Sequence, residues 1–351
     1  MNPLHRTLGR ASALGALLLT LFLLTSAAPA AALQKGFWGP TRVSGVSQFP
    51  VYRDLGVSLF QMQLNWRSVA AARPADPTNP SDPAYRWPED VDFALSESRA
   101  NGMEVLLQVA GTPTWANGGR AQTVPPTQSG DYADFLTAAS KRYPAVRHWM
   151  IWGEPNRGQN WQPQMGAPRR YAQLLDASYA ALKRQSSRNL VIGGNTETAG
   201  ATRPVTWVRL MKLPNGRPPR MDLYGHNPFT NREPSLRRPP LGRNYADFSD
   251  MARFQATVTR YQGKPRRKRL RLFFSEFTKP TEANDAEFNI PVSRAQQAQW
   301  ITSGFRVSRQ LRAYGFGWIH LYDEPQRRIF SGLIDANGVQ KPGYSAFKRG
   351  R

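Results

Sequence analysis

The chain has 351 residues, with 47 Lys and Arg against 24 Asp and Glu, a formal net charge of +23, and no cysteine. The missing cysteine excludes disulfides, a thiol nucleophile and a cysteine-linked lipid, so stability must come from packing, which a chain of this length can supply. The positive field favours anionic partners such as acidic glycans, cell-wall polymers, membrane surfaces or nucleic acid.

Residues 1–32 read as a secretory signal peptide: His5, Arg6 and Arg10 precede an apolar stretch over 13–24, and small residues follow around Ala28-Pro29-Ala30. The apolar stretch is shorter than the roughly 20 residues a membrane span needs. Residues 33–351 then form one domain in which strand-like and helix-like stretches alternate.

A first strand is predicted over 37–43 and a short helix over 49–55. A second strand over 57–64 ends at Asn65-Trp66, and a Pro/Asp/Asn-rich loop fills 73–85. A helix over 87–101 carries Pro88 in its first turn and closes at Gly102. The third strand, 103–109, leads into Thr112-Pro113-Thr114-Trp115-Ala116. A helix over 132–143 precedes the fourth strand, 146–152. The helix over 169–185 is the clearest amphipath, with Tyr171, Leu174, Leu175 and Leu182 on one face. The fifth strand, 190–192, ends in Gly193-Gly194-Asn195, and a short helix covers 205–211. The sixth strand, 221–224, ends in Gly225-His226-Asn227-Pro228, and a basic loop then leads to a helix over 245–261. The run Lys264-Pro265-Arg266-Arg267-Lys268-Arg269 precedes the seventh strand, 270–275. It reads as a solvated loop at the strand's N-terminal end, with polyanion docking as its second reading. A long helix over 294–314 leads to the eighth strand, 316–321.

Eight short strands, apolar on both faces and joined by helical connections, predict a single-domain (β/α)8 TIM barrel. An open doubly wound sheet is disfavoured, because no glycine-rich phosphate loop follows the first strand.

Two glutamates fall where strands give out: Glu154, in Trp152-Gly153-Glu154-Pro155-Asn156 after strand four, and Glu276, closing Phe273-Phe274-Ser275-Glu276 after strand seven. In a parallel barrel the C-terminal strand ends converge on one pocket. Two carboxyls roughly 5–5.5 Å apart there can serve as acid/base and nucleophile of a retaining glycosidase. Each glutamate alone is as well explained by a salt bridge at a strand end.

Trp-Gly-Glu-Pro-Asn with Ser-Glu-Phe resembles the clan A retaining glycoside hydrolases, most closely family 39 and its relatives. Thr112-Pro113-Thr114-Trp115-Ala116 and His226-Asn227-Pro228 are similar to segments of that family. The tail from Gly332 to Gly338, with Lys341-Pro342, Tyr344 and Ala346-Phe347, is similar to the ending of many clan A barrels. The resemblance implies Glu154 as acid/base and Glu276 as nucleophile. It also marks a departure: the clan usually has Asn before the acid/base, binding the sugar 2-hydroxyl, and this chain has Gly153. Asn156 and Asn195 are the substitutes within reach of the motif.

Other candidates for substrate contact are Trp66, Trp115 and Trp318 as stacking platforms, although buried aromatics are more often core. Asn65 and Asn227 are candidate hydroxyl partners, and His226 a candidate tuner of the nucleophile. Tyr224 and Tyr322 read first as packing residues. Scattered histidines and the missing cysteine give no metal-ligand spacing, so no metal and no cofactor are expected. The expectation is a secreted retaining glycoside hydrolase with a carbohydrate substrate, an anionic polysaccharide or the cell wall being one form of it. No nucleic-acid partner is expected. Burial and the Glu276 charge are expected to raise the pKa of Glu154. A non-catalytic carbohydrate-binding barrel and a wall-remodelling transglycosylase stay open as alternatives.

Overall fold

The computed structural model describes residues 32–263 and 269–350. Eight strands, each followed by a helix, make the frame. In chain order these are β1 (Gln34–Trp38), α1 (Phe49–Asp54), β2 (Leu59–Asn65), α2 (Glu89–Ala100), β3 (Glu104–Ala110), α3 (Ser129–Arg142), β4 (His148–Ile151) and α4 (Ala167–Gln185). They continue with β5 (Leu190–Glu197), α5 (Pro204–Leu210), β6 (Leu223–Asn227), α6 (Met251–Gln262), β7 (Arg271–Phe274), α7 (Arg294–Gln310), β8 (Gly315–Ile319) and α8 (Pro342–Arg349). The strands close in the order β1-β8-β7-β6-β5-β4-β3-β2, with every neighbouring pair parallel. This is the (β/α)8 barrel that the alternation predicts.

The segment expected as a signal peptide lies outside the described residues except for Ala32, and so does the basic run except for Arg269. Among the described residues no helix is long and apolar enough to cross a membrane.

Local chemistry accounts for where the elements depart from the sequence expectation. The first strand stops at Trp38 rather than 43, because Gly39-Pro40 follow and Pro40 has no N–H for the ladder. The fifth strand continues through Gly193-Gly194-Asn195 to Glu197, with a register shift between Gly194 and Thr196. Asn195 takes a left-handed φ of 41°, so the extra residue is absorbed as a bulge. Helix α7 opens on a capping box between Ser293 and Gln296 and ends at Gln310, short of 314. Arg312 is left-handed there (φ 51°) and turns the chain into β8. Helix α8, absent from the expected elements, begins on Pro342 and lays Phe347 edge-on to Phe37 of β1 at 5.5 Å.

The barrel interior is layered. A plug of Leu59, Leu106, Met150, Ile192, Leu223 and Phe273 fills its lower part. Side chains alternate along a strand, so two residues further on Gln61, Gln108 and Ser275 face inward. On β5 the bulge advances that position by one, to Asn195, whose Oδ1 stands 3.0 Å from where a Cβ on Gly225 would be. Gln61 Nε2 donates to Ser275 O at 3.0 Å, and Ser275 Oγ donates to Gln61 Oε1 at 3.1 Å. The polar floor of the mouth is therefore built on an apolar plug. The larger apolar core lies between sheet and helices.

Candidate active site

Glu154 stands just past β4, where the backbone is unusual. Trp152 and Glu154 both have left-handed φ, 65° and 41°. For residues other than glycine this is uncommon and persists only when surroundings fix it. Here Trp152 is buried edge-on to Trp161 at 5.0 Å, and its indole N–H donates to Asn160 O at 2.8 Å. From α4, the Tyr171 hydroxyl donates to Ile151 O at 2.7 Å and accepts from the Gly194 N–H at 2.9 Å, which locks the end of β4 to β5. The Glu154 carboxylate is buried and holds three partners. Asn227 Nδ2 donates to Oε1 at 2.9 Å, while Arg157 Nη1 at 2.9 Å and Asn160 Nδ2 at 3.3 Å serve Oε2.

Glu276 leaves β7 between Ser275, tied to Gln61, and Phe277, packed on Phe248 at 4.9 Å. It opens onto a cavity of about 890 Å³ that Trp38, Ile319, His320, Tyr322 and Asp323 also line. The Asn227 side chain, bonded to Glu154, also pulls the Glu276 pKa down, and the Glu154 charge pushes it up, so all three act at one place at the mouth of the barrel.

Burial first, then the Glu154 charge, push Glu276 up to about 8, against the pull of Arg157 and Asn227. Glu276 keeps some contact with the cavity, yet protein atoms crowd its carboxyl closely enough that burial leads. The sequence expectation concerned Glu154 and did not foresee this push on Glu276, to which the neighbouring Glu154 charge adds because like charges resist ionising together.

The other sequence candidates divide. Asn227 is in the site. Asn65 lines a smaller cavity of about 220 Å³, but its Oδ1 caps the turn Trp66–Val69 by accepting from the Ser68 N–H at 3.0 Å. Trp66 is fully buried against Phe135 and Trp115, so its stacking face belongs to the core. Trp115 donates its indole N–H to Ala70 O at 2.8 Å, and the Arg73 guanidinium covers its ring at 4.9 Å. Trp318 is fully buried against Phe277. Asn156 is spent on structure, donating to Glu197 O and Thr202 O at 3.1 and 3.2 Å and accepting from the Glu197 N–H at 3.0 Å. His226 touches neither glutamate. Its Nδ1 meets Thr196 Oγ1 at 2.9 Å and its Nε2 meets Ala246 O at 2.7 Å, and burial pulls it down to about 4. It is a neutral packing imidazole against Phe254.

Several residues at the mouth escape a reading of sequence. Trp38 reaches the large cavity from the end of β1, hidden by a strand boundary set five residues late. His320, left-handed at φ 72°, has Nδ1 at 2.6 Å from Ser331 Oγ and Nε2 at 3.5 Å from Glu287 Oε2. Glu197, at the end of β5, has its pKa raised by burial and, further down, by the Glu154 charge. Arg157 follows Glu154 by three residues, a spacing at which any turn after the strand brings the two together. Beside Gly153, the place of the clan's usual Asn is filled from the preceding strand, β3: a Cβ there would stand 2.7 Å from Gln108 Oε1 and 2.8 Å from its Nε2. Among the described residues no group of three or more His, Asp or Glu is placed to hold a metal ion.

The barrel is similar in fold to several solved structures. A family 39 glycoside hydrolase from the gut symbiont Bacteroides cellulosilyticus WH2 matches at TM-score 0.68 and 18% identity, over 91% of this chain and 63% of its own. A GH39 enzyme from Xanthomonas axonopodis pv. citri matches at TM-score 0.61 and 17% identity, over 90% of this chain and 65% of its own. A monomeric beta-xylosidase from Caulobacter crescentus CB15 matches at TM-score 0.59 and 16% identity, over 90% of this chain and 66% of its own. The chain shares the fold of these glycosidases and spans less than two thirds of the length of each. No protein-family model matches it, and no curated protein does.

Proposed function

We propose that the protein is a secreted retaining glycoside hydrolase acting on a β-linked glycan or glycoside, with Glu276 as nucleophile and Glu154 as acid/base. The observation that carries the reading is that Glu154 and Glu276 stand at the C-terminal ends of β4 and β7 close enough for the Glu154 charge to act on Glu276, with Asn227 bonded to Glu154 between them. In the first step Glu276 attacks the anomeric carbon while Glu154 gives its proton to the departing oxygen, leaving a glycosyl ester on Glu276. In the second step Glu154 takes a proton from water, and that water breaks the ester. The fold shared with family 39 glycosidases supports the class of reaction, and the N-terminal sequence supports secretion.

When attack begins the proton must sit on Glu154 and not on Glu276. In the free protein Glu154 is held in an ion pair with Arg157 at 2.9 Å. The same ion pair, with glycine at 153, favours a second reading: a barrel that binds carbohydrate without cleaving it.

Glu276→Ala separates the two. The retaining reading expects aryl-glycoside turnover to be lost and partly restored by azide, with a glycosyl azide of inverted configuration as product. Turnover that survives the substitution contradicts it, and binding without turnover in the unaltered protein favours the second reading.

A further inference from the structure

The cavity of about 220 Å³ beside Gly153 has a lining unlike the rest of the molecule. Six amide side chains face it: Gln63 and Asn65 from the end of β2, Gln108 from β3, Gln122 from the loop after β3, and Gln159 and Asn160 from the loop after β4. None of its lining residues is charged, in a chain with 47 Lys and Arg. Amides offer a donor and an acceptor on one planar group, which suits sugar hydroxyls. A carboxylate or sulfate entering here would lose its water and meet no cation in the lining, a costly exchange. The composition of the chain predicts an anion site, and this cavity is its local opposite.

Two links tie the cavity to the glutamates. Asn160 Nδ2 donates to Glu154 Oε2 at 3.3 Å while lining the cavity, and Gly153 directly precedes Glu154. Glycine at 153 leaves room for Gln108 in its present place: a Cβ there would fall within 2.9 Å of three atoms at the end of the Gln108 side chain, which would have to turn away. Gln108 is itself nine-tenths buried, and its Nε2 leans on the Met150 sulfur at 3.3 Å, a weak acceptor. A good hydrogen-bond acceptor is therefore still wanted.

We propose that this cavity is a subsite for a neutral, hydroxyl-bearing sugar residue, and that Gln108, given room by Gly153, is the side chain that sets its specificity. The subsite's place beside the bond to be cut rests on the assignment of Glu154 and Glu276, but its ligand class follows from the lining alone.

Calorimetric titration tests it without any need for turnover. The full chain is titrated with neutral xylo-, cello- and manno-oligosaccharides and with oligogalacturonate and oligoalginate, then repeated with Gln108→Ala and Gln122→Ala. Neutral sugars are expected to bind, with affinity about tenfold weaker in Gln108→Ala and a few-fold weaker in Gln122→Ala, the loss of one hydrogen bond each. Gln122 is solvent-exposed, so its variant keeps the test open if Gln108→Ala fails to fold. Binding confined to the uronates, no binding of any neutral sugar, or unchanged affinity in both variants overturns the proposal. A protein that binds neutral sugars through Gln108 and hydrolyses nothing keeps the subsite and loses the glycosidase reading. One that hydrolyses aryl glycosides while Gln108→Ala and Gln122→Ala bind normally does the reverse.

Discussion

At the scale of single residues, the site is set by what each side chain already spends its hydrogen bonds on. Asn156 and Asn227 look alike in sequence, both being Asn near a strand end. Asn156 is consumed by the Glu197 and Thr202 backbone, whereas Asn227 turns its amide to the glutamates. Which Asn is free depends on loops from other strands, so no local pattern could separate them. The glutamates themselves were legible, because a carboxylate at an apolar strand end needs a reason. The upward push on Glu276 was not, because it depends on burial by side chains from other parts of the barrel and on the Glu154 charge. Glu276 holds its proton to about 8 in the folded state, against an ordinary value of 4.5. The unfolded chain therefore loses this proton first, and the stability Glu276 contributes is full below pH 4.5 and lost as pH rises through about 8. Glu276→Gln is expected to match the parent near pH 4.5 and to exceed it above pH 8, by on the order of 2 kcal/mol once the shift is discounted for contact with solvent. Chemical denaturation at both pH values checks this. A gap independent of pH, or a less stable variant at high pH, contradicts the proton placement.

At the scale of elements, periodicity and apolar runs sufficed to count the strands and order them. The fourth and seventh were located well enough to put both glutamates just past their ends. The misses share one physical origin: a short strand ends where backbone geometry changes, and that change is written in tertiary contacts. The Gly193-Gly194-Asn195 run reads as a turn, yet it is a bulge that carries β5 on to Glu197 and swings Asn195 into the barrel. Trp66 and Trp318 read as platforms because aromatics at strand ends can face either the mouth or the helices, and both face the helices. Close packing of neighbouring strands makes a testable contrast on the polar floor. A Cβ on Gly317 of β8 would stand 2.0 Å from the Ser275 backbone oxygen, which cannot move without shifting β7. A Cβ on Gly36 of β1 meets first the Gln61 Nε2 at 2.8 Å, the end of a flexible side chain. Gly317→Ala is therefore expected to cost roughly 3 kcal/mol or more, and Gly36→Ala to cost about 1 kcal/mol less than that at the least. Thermal denaturation of the two variants measures the difference, and equal losses would contradict the assigned packing of β7 against β8.

At the scale of the whole molecule, the function rests on closure of the barrel. Glu154 and Glu276 come from strands separated in the ring by β5 and β6, and Asn227, which bonds Glu154, comes from β6. Only a closed parallel sheet turns all of these ends toward one mouth. The net charge of +23 bears on solubility and encounter, and none of it falls in the lining of the cavity beside Gly153. The deciding feature of the proposed reaction is which oxygen bonds to sugar. Incubation with activated 2-deoxy-2-fluoro glycosides, followed by peptide mass mapping, reads that oxygen directly. The prediction is one glycosyl label per chain, on Glu276, released on addition of an acceptor sugar. A label on Glu154 or on any other residue, or turnover that gives product of inverted anomeric configuration, would contradict it.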